Sequence, residues 1–174
     1  MHRHHAFVET TLTTIESSLG TPNGVSLATD KRLAAFLSPD AQSHLKAPMP
    51  FVCSGKLENA LAAAKQLHDA GVAVLAGTDA PSPGDWNGAS MHGELELLVR
   101  AGFTPSDALA AATSLPAATF HLNDRGRIAP GFRADLLLVR GDPTKDITAS
   151  RDIVSVWKAG VEDARVKYGV GLPK

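Results

Sequence analysis

The sequence predicts an α/β fold with a parallel sheet, on three observations. Residues 56–70 place Leu57, Leu61, Ala64, Leu67 and His68 at the three- and four-residue spacing of one buried helical face, and Gly71 ends that helix. The apolar run 72–76 follows at once and leaves neither face polar, as a strand in a buried parallel sheet requires. A further helix begins near His92, completing the helix–strand–helix step from which parallel sheets are built.

Taken in order, residues 7–15 are rich in β-branched side chains and suit a strand. Residues 17–24 read as a turn-rich link, and residues 30–37 as one or two helical turns stopped by Ser38-Pro39, with a short helix from Pro39 to Leu45. Residues 47–55, with Pro48 and Pro50, form an irregular loop, either a roof over a binding mouth or a surface excursion. Thr104-Pro105-Ser106-Asp107 is a helix start with a cap, a proline at the first position and an acid in the first turn. A helix over residues 116–121 follows. After Asn123 the pattern changes: Gly126, Pro130 and Gly131 mark a turn, 134–139 and 153–158 read as strands lying beside each other, and residues 162–174 are an appended tail.

Asp79 stands at the carboxyl end of the 72–76 strand, ahead of Pro81, Pro83 and Gly84. In α/β barrels the loops converge at that end, so a carboxylate there is placed to ligate a metal or to act as a general base; the competing role is a cap on the next turn. Trp86, in the long loop 80–91, can supply an apolar wall to a ligand, or the loop can simply route the chain. His92, beside the same strand end, can bind substrate or hydrogen-bond near a metal, although a polar residue opening a helix needs no such role. His68 in a last helical turn suits the helix C-terminus, His121 reads as structural, and His44 has no assigned role. His2 and His4 have a His-x-His spacing, but no apolar strand delivers them, and a chain terminus is a poor ligand platform.

Composition narrows the function classes. Seventeen basic and 18 acidic residues give a net charge of −1, with no basic footprint for nucleic acid or an anionic membrane, so a small-molecule substrate is expected. The single cysteine, Cys53, permits no internal disulfide and fits a reducing cytoplasm. No apolar run reaches the ~18 residues of a membrane span, and the first residues lack the apolar core of a signal peptide, although a signal removed from upstream would leave no trace. No glycine-rich fingerprint opens a helix, which weighs against a phosphate-binding flavodoxin-like domain.

One ordered series carries a family resemblance: His92-Gly93-Glu94-Leu95-Glu96-Leu97-Leu98-Val99-Arg100-Ala101-Gly102-Phe103-Thr104-Pro105, then residues 108–113, then Gly126-Arg127-Ile128-Ala129-Pro130-Gly131 and residues 134–139. In this order and spacing it resembles the C-terminal part of the metal-dependent amidohydrolases, in the branch of imidazolonepropionases and prolidase-like dipeptidases. The resemblance implies a partial TIM-type (β/α)8 barrel, with its last two strands and closing helices in residues 1–123, strands of a small outer β-sandwich in 124–160 and a tail in 161–174. A whole barrel takes roughly 250 residues, more than the 174 present.

The implied chemistry is hydrolysis of an amide-type C–N bond, in a dipeptide or cyclic amide, by metal-activated water. The family binds one or two divalent metals, commonly zinc, through His-x-His on the first strand, sometimes a modified lysine, histidines on the fifth and sixth strands and an Asp on the eighth. By this resemblance Asp79 is the metal ligand and the catalytic proton acceptor, and it alone of that set falls here, so the isolated chain is expected to be inactive and not to retain metal. The alternative is a non-catalytic chain that folds with a partner supplying the missing strands. Open sheet edges and an uncovered apolar face at the Val8 and Val74 strands predict homo-oligomerisation or docking to the missing N-terminal part of the barrel.

Overall fold

The computed structural model describes residues 6–21 and 23–163; His2, His4, His5 and the tail beyond Asp163 lie outside the described residues. The chain runs β1 (Phe7–Thr10), α1 (Leu12–Ser18), α2 (Gly24–Thr29), α3 (Lys31–Ala34), α4 (Pro39–Lys46), α5 (Leu57–Asp69) and β2 (Ala73–Ala76). It continues through α6 (Ala89–Ala101), α7 (Pro105–Ala112), α8 (Ser114–Thr119), β3 (Leu136–Val139), a 3-10 turn (Ile147–Arg151), β4 (Ile153–Lys158) and β5 (Val161–Glu162). It is an α/β arrangement with two small sheets. Among the described residues no helix is long and apolar enough to cross a membrane.

β1 and β2 pair in parallel, Phe7 opposite Ala73 through Thr10 opposite Ala76. The Gly77 amide donates to the Thr10 carbonyl at 2.8 Å, carrying the ladder one residue past β2. Only glycine fits there: a Cβ would lie 2.6 Å from Glu9 Oε1 and 2.8 Å from the Thr10 carbonyl oxygen. Strands β3, β4 and β5 form a separate antiparallel sheet, with Leu136 opposite Trp157. The two C-terminal strands thus lie beside each other and apart from β2, as expected.

The main core gathers Leu12 of α1, Leu57 and Leu61 of α5, Val74 of β2, Leu95 and Leu98 of α6, and Phe103. A second cluster, Leu27, Leu33, Leu45 and Ala89, joins α2, α3 and α4 to the start of α6. Gly24 admits that packing, because a Cβ there would meet the carbonyl oxygens of Gly84 and Leu45 at 2.1 and 2.3 Å. Ser38 and Thr104 cap α4 and α7 through side-chain oxygens that accept the Ala41 and Asp107 amides.

Several expectations need correction. The first strand stops at Thr10, and Leu12–Ser18 is helical despite its β-branched content, because a carboxylate from α6 receives its first amides. The expected link at 17–24 gives way at Gly24 to α2, and Asp30, capping Arg32, divides α2 from α3. Helix α6 opens at Ala89, so His92 lies inside its first turn. Helix α8 begins at Ser114, two residues earlier than expected. Of the two strands expected to leave an apolar face uncovered, β2 is covered at Val74, 1% exposed under the helices, whereas on β1 Val8 is half-buried and Phe7, 40% exposed, meets Phe120 edge-on at 5.5 Å.

Candidate active site at the carboxyl end of the parallel strands

Both parallel strands end at one place. β1 finishes at Thr10 and turns into α1; β2 finishes at Ala76 and runs through Gly77 and Thr78 to Asp79. Asp79 is exposed and holds a left-handed backbone, φ +55°, a conformation that Asp and Asn tolerate better than other residues with a Cβ. The turn beyond it is held by other groups: Thr78 Oγ1 accepts the Ala80 amide at 3.3 Å and Ser82 donates to the Asp79 backbone carbonyl at 2.9 Å. Gly88, not Asp79, occupies the cap position of α6. Among the described residues no hydrogen bond or ion pair engages the Asp79 carboxylate, which therefore does not serve as a cap.

Beneath the exposed carboxylate lies a layer of buried acids. Glu94 of α6 is fully buried; its Oε1 is 2.6 Å from Thr10 Oγ1, and its Oε2 accepts the Thr13 amide at 3.0 Å. Thr11, at the N-cap of α1, makes no side-chain cap bond, so Glu94 supplies that function from another helix. Asp85, also buried, meets Thr14 Oγ1 at 2.8 Å, and the same hydroxyl donates to the Thr78 carbonyl at 2.8 Å. Burial pushes Glu94 up to about 7 against the opposing hydrogen bonds from Thr10, Thr13 and Leu12. Asp85 is raised for the same reason, with Asp79 adding to the rise. Glu16 of α1 is likewise pushed up to about 7 by burial, partly offset by Arg100.

His92 is held elsewhere in this framework. Its Nδ1 lies 3.0 Å from Ser150 Oγ on the 3-10 turn, and burial, then Arg151, push it down to about 4, so it is neutral at physiological pH. Beside it Arg151 joins Asp30, at 3.2 Å, to Glu96, and Asp30 is gripped from the other side by Arg32 at 2.7 Å. Trp86 packs on the second core cluster with its ring 5.2 Å from His44. His68 stacks on Phe103 at 4.1 Å, as a packed residue.

The strand end thus assembles Asp79, Asp85 and Glu94 within one framework, whereas Trp86 and His92 contact the second core cluster and the 3-10 turn beside it. Two cavities, of about 250 and 180 Å³, are lined by Glu16, Glu96 and Arg100 and by Arg125, Arg127 and Phe132, among others; neither has Asp79, Trp86 or His92 in its lining. Among the described residues no group of three His, Cys, Asp or Glu side chains is arranged to hold a metal. Asp79 offers one ligand where a catalytic zinc takes three from protein, so these residues do not make a zinc site by themselves. Sequence reasoning passed over Glu94 and Asp85. The signal for Glu94 was its place four residues before Leu98, on the buried side of α6; Asp85, in a loop, carried none.

A parallel pair of strands covered by helices, with an unbonded carboxylate at its carboxyl end, places the chain in the α/β class, in which binding and chemistry gather at that end of the strands. The chain belongs to the amidohydrolase family, whose model matches residues 2–169. Imidazolonepropionase from Deinococcus deserti is 40% identical over 100 residues, covering 55% of this chain and 25% of its own. The Streptomyces coelicolor imidazolonepropionase is 32% identical over 142 residues, covering 79% and 33% respectively. Among solved structures, a bottromycin amidohydrolase matches with a TM-score of 0.64 at 24% identity, over 92% of this chain and 37% of its own. Molinate hydrolase matches with 0.63 at 22%, over 99% and 37%. These two establish likeness of fold. The chain spans a quarter to a third of the length of the two imidazolonepropionases.

Proposed function

We propose that this chain is the carboxyl-terminal part of a hydrolase acting on amide-type C–N bonds of a small molecule, with β1 and β2 as the last two strands of a (β/α)8 barrel. The observation that carries the reading is Asp79: exposed, unbonded through its carboxylate, and held in a left-handed turn at the carboxyl end of a parallel strand. Family membership and the imidazolonepropionase relatives support the reaction class. A carboxylate so placed accepts the proton of a water as that water attacks the substrate carbonyl, and it can return the proton to the departing nitrogen. A divalent metal in the whole enzyme, zinc by the family's habit, would draw its remaining ligands from outside this chain, and the small outer sandwich would be completed in the same way. Trp86 and His92 then serve the site by fixing the loop and helix around it.

The test is Asp79→Asn in the whole enzyme. Asn keeps the volume and tolerates the left-handed backbone, so the melting temperature should hold. Turnover should fall by roughly 10²–10⁴-fold, the usual worth of general-base assistance. Turnover close to wild type would sink the assignment. In a second reading the chain docks on a separate partner that supplies the missing strands; co-purification of such a complex with hydrolytic activity would distinguish it.

A further inference from the structure

Thr10 poses a problem of proton count. Its hydroxyl has a single proton, yet Oγ1 lies 3.1 Å from the Leu75 carbonyl oxygen and 2.6 Å from Glu94 Oε1. If the threonine proton goes to Leu75, two oxygens are left 2.6 Å apart in a buried setting, and a second proton must lie between them. If it goes to Glu94, the bond to β2 is lost. A neutral Glu94 resolves both contacts: its own O–H donates to Thr10, Thr10 donates to Leu75, and the other carboxyl oxygen still accepts the Thr13 amide at 3.0 Å. The arrangement recurs four residues on, where Thr14 Oγ1 stands 2.8 Å from both the Thr78 carbonyl oxygen and Asp85 Oδ2.

We infer that Glu94 is a positioning residue carried as a neutral carboxylic acid, which donates its proton to Thr10 so that Thr10 holds the β2 carbonyl of Leu75 and fixes the strand end that bears Asp79. Burial favours the acid form and outweighs the Thr13 and Leu12 amides, which favour the carboxylate. Burial is the largest influence on Glu94, and Asp85 reinforces it. Glu16 on α1 adds a third acid whose charge opposes theirs; Arg100 faces Glu16 at 3.7 Å, and Asp79 bears on Asp85. The Thr10 carbonyl in turn receives the Gly77 amide, two residues before Asp79, so the proton on Glu94 reaches the strand end through one threonine.

The inference takes its importance from the reading of Asp79, but its test does not depend on that reading. In the chain labelled with 13C at glutamate carboxyls, the resonance that disappears in Glu94→Gln should keep the shift of a neutral acid at about pH 6, more than a unit above the titration of an ordinary glutamate. Glutamine offers the same donor and acceptor, so exchange of the Gly77 amide in Glu94→Gln should stay within about twofold of wild type. Thr10→Val should speed it by about tenfold or more, and Thr10→Ser should restore it. A carboxylate shift for Glu94 at that pH, or loss of Gly77 protection in Glu94→Gln equal to that in Thr10→Val, would overturn the inference. Retained turnover in Asp79→Asn would remove only the catalytic reading and leave these outcomes to decide Glu94.

Discussion

Replacing Arg151 with Met tests the charged cluster that joins the C-terminal segment to the helices. The Arg151 side chain is 6% exposed and reaches Asp30 Oδ2 at 3.2 Å and Glu96. Methionine keeps the apolar stem and removes the charge. Breaking a buried pair by deleting one partner typically costs about 3–5 kcal/mol, but two features reduce the cost here. Glu96 is 42% exposed and rehydrates, and Asp30 keeps its bonds from Arg32, at 3.0 and 2.7 Å. A loss of about 1–3 kcal/mol follows, or roughly 2–10 °C in melting temperature for a chain of this size. Urea unfolding at neutral pH measures it. The cluster also imposes a pH signature. Arg32, foremost, with Arg151, holds the Asp30 carboxyl well below the usual carboxylate range, so its stabilisation is present above pH ~4 and is lost as pH falls through the folded titration. Arg151→Met should weaken the acid limb without abolishing it, and His92 should titrate higher once the neighbouring cation is gone. A loss under about 0.5 kcal/mol, with His92 unmoved, would mean that the cluster behaves as a solvated surface pair.

Three other outcomes follow from the packing. Glu16, pushed up to about 7, contributes stability that is full below its unfolded titration near 4.5 and lost as pH rises through 7, so Glu16→Gln should gain on wild type at about pH 8 and match it at about pH 4; melting curves at the two pH values check this, and a loss at the higher one would refute it. Gly77→Ala should destabilise by about 1–3 kcal/mol, because the backbone carbonyl it would strike cannot swing aside, and chemical denaturation measures the loss. Thr104→Ala should cost about 0.5–2 kcal/mol by removing the α7 cap, read from the urea midpoint.

The legible parts of the fold were those in which local chemistry and tertiary packing agree. The helix at 57–69, the buried run 73–76 and the capped start at Thr104 each signal themselves within a few residues. Residues 11–15 misled because Thr and Ile favour strands, while the helix there is capped by Glu94, some 80 residues away in sequence. The separation of α2 from α3 rests on the Asp30 cap, and the position of α2 rests on an absent Cβ at Gly24. Asp79 could be singled out because a strand end and a turn bracket it. The acids beneath it could not, since a buried carboxylate looks in sequence like an exposed one until its threonine partners are known.

The pairing of β1 with β2 carries a kinetic consequence. The two strands lie on either side of five helices, and a parallel ladder earns nothing until that whole crossover has closed. The α6–α7 neighbours and the β3–β4 antiparallel pair have far shorter loops to close and are therefore expected to form sooner. Order at Asp79 thus arrives late in folding, and a nascent chain released before residue 94 has left the ribosome would display the sheet residues of both strands without the buried acid that sets α1 against them.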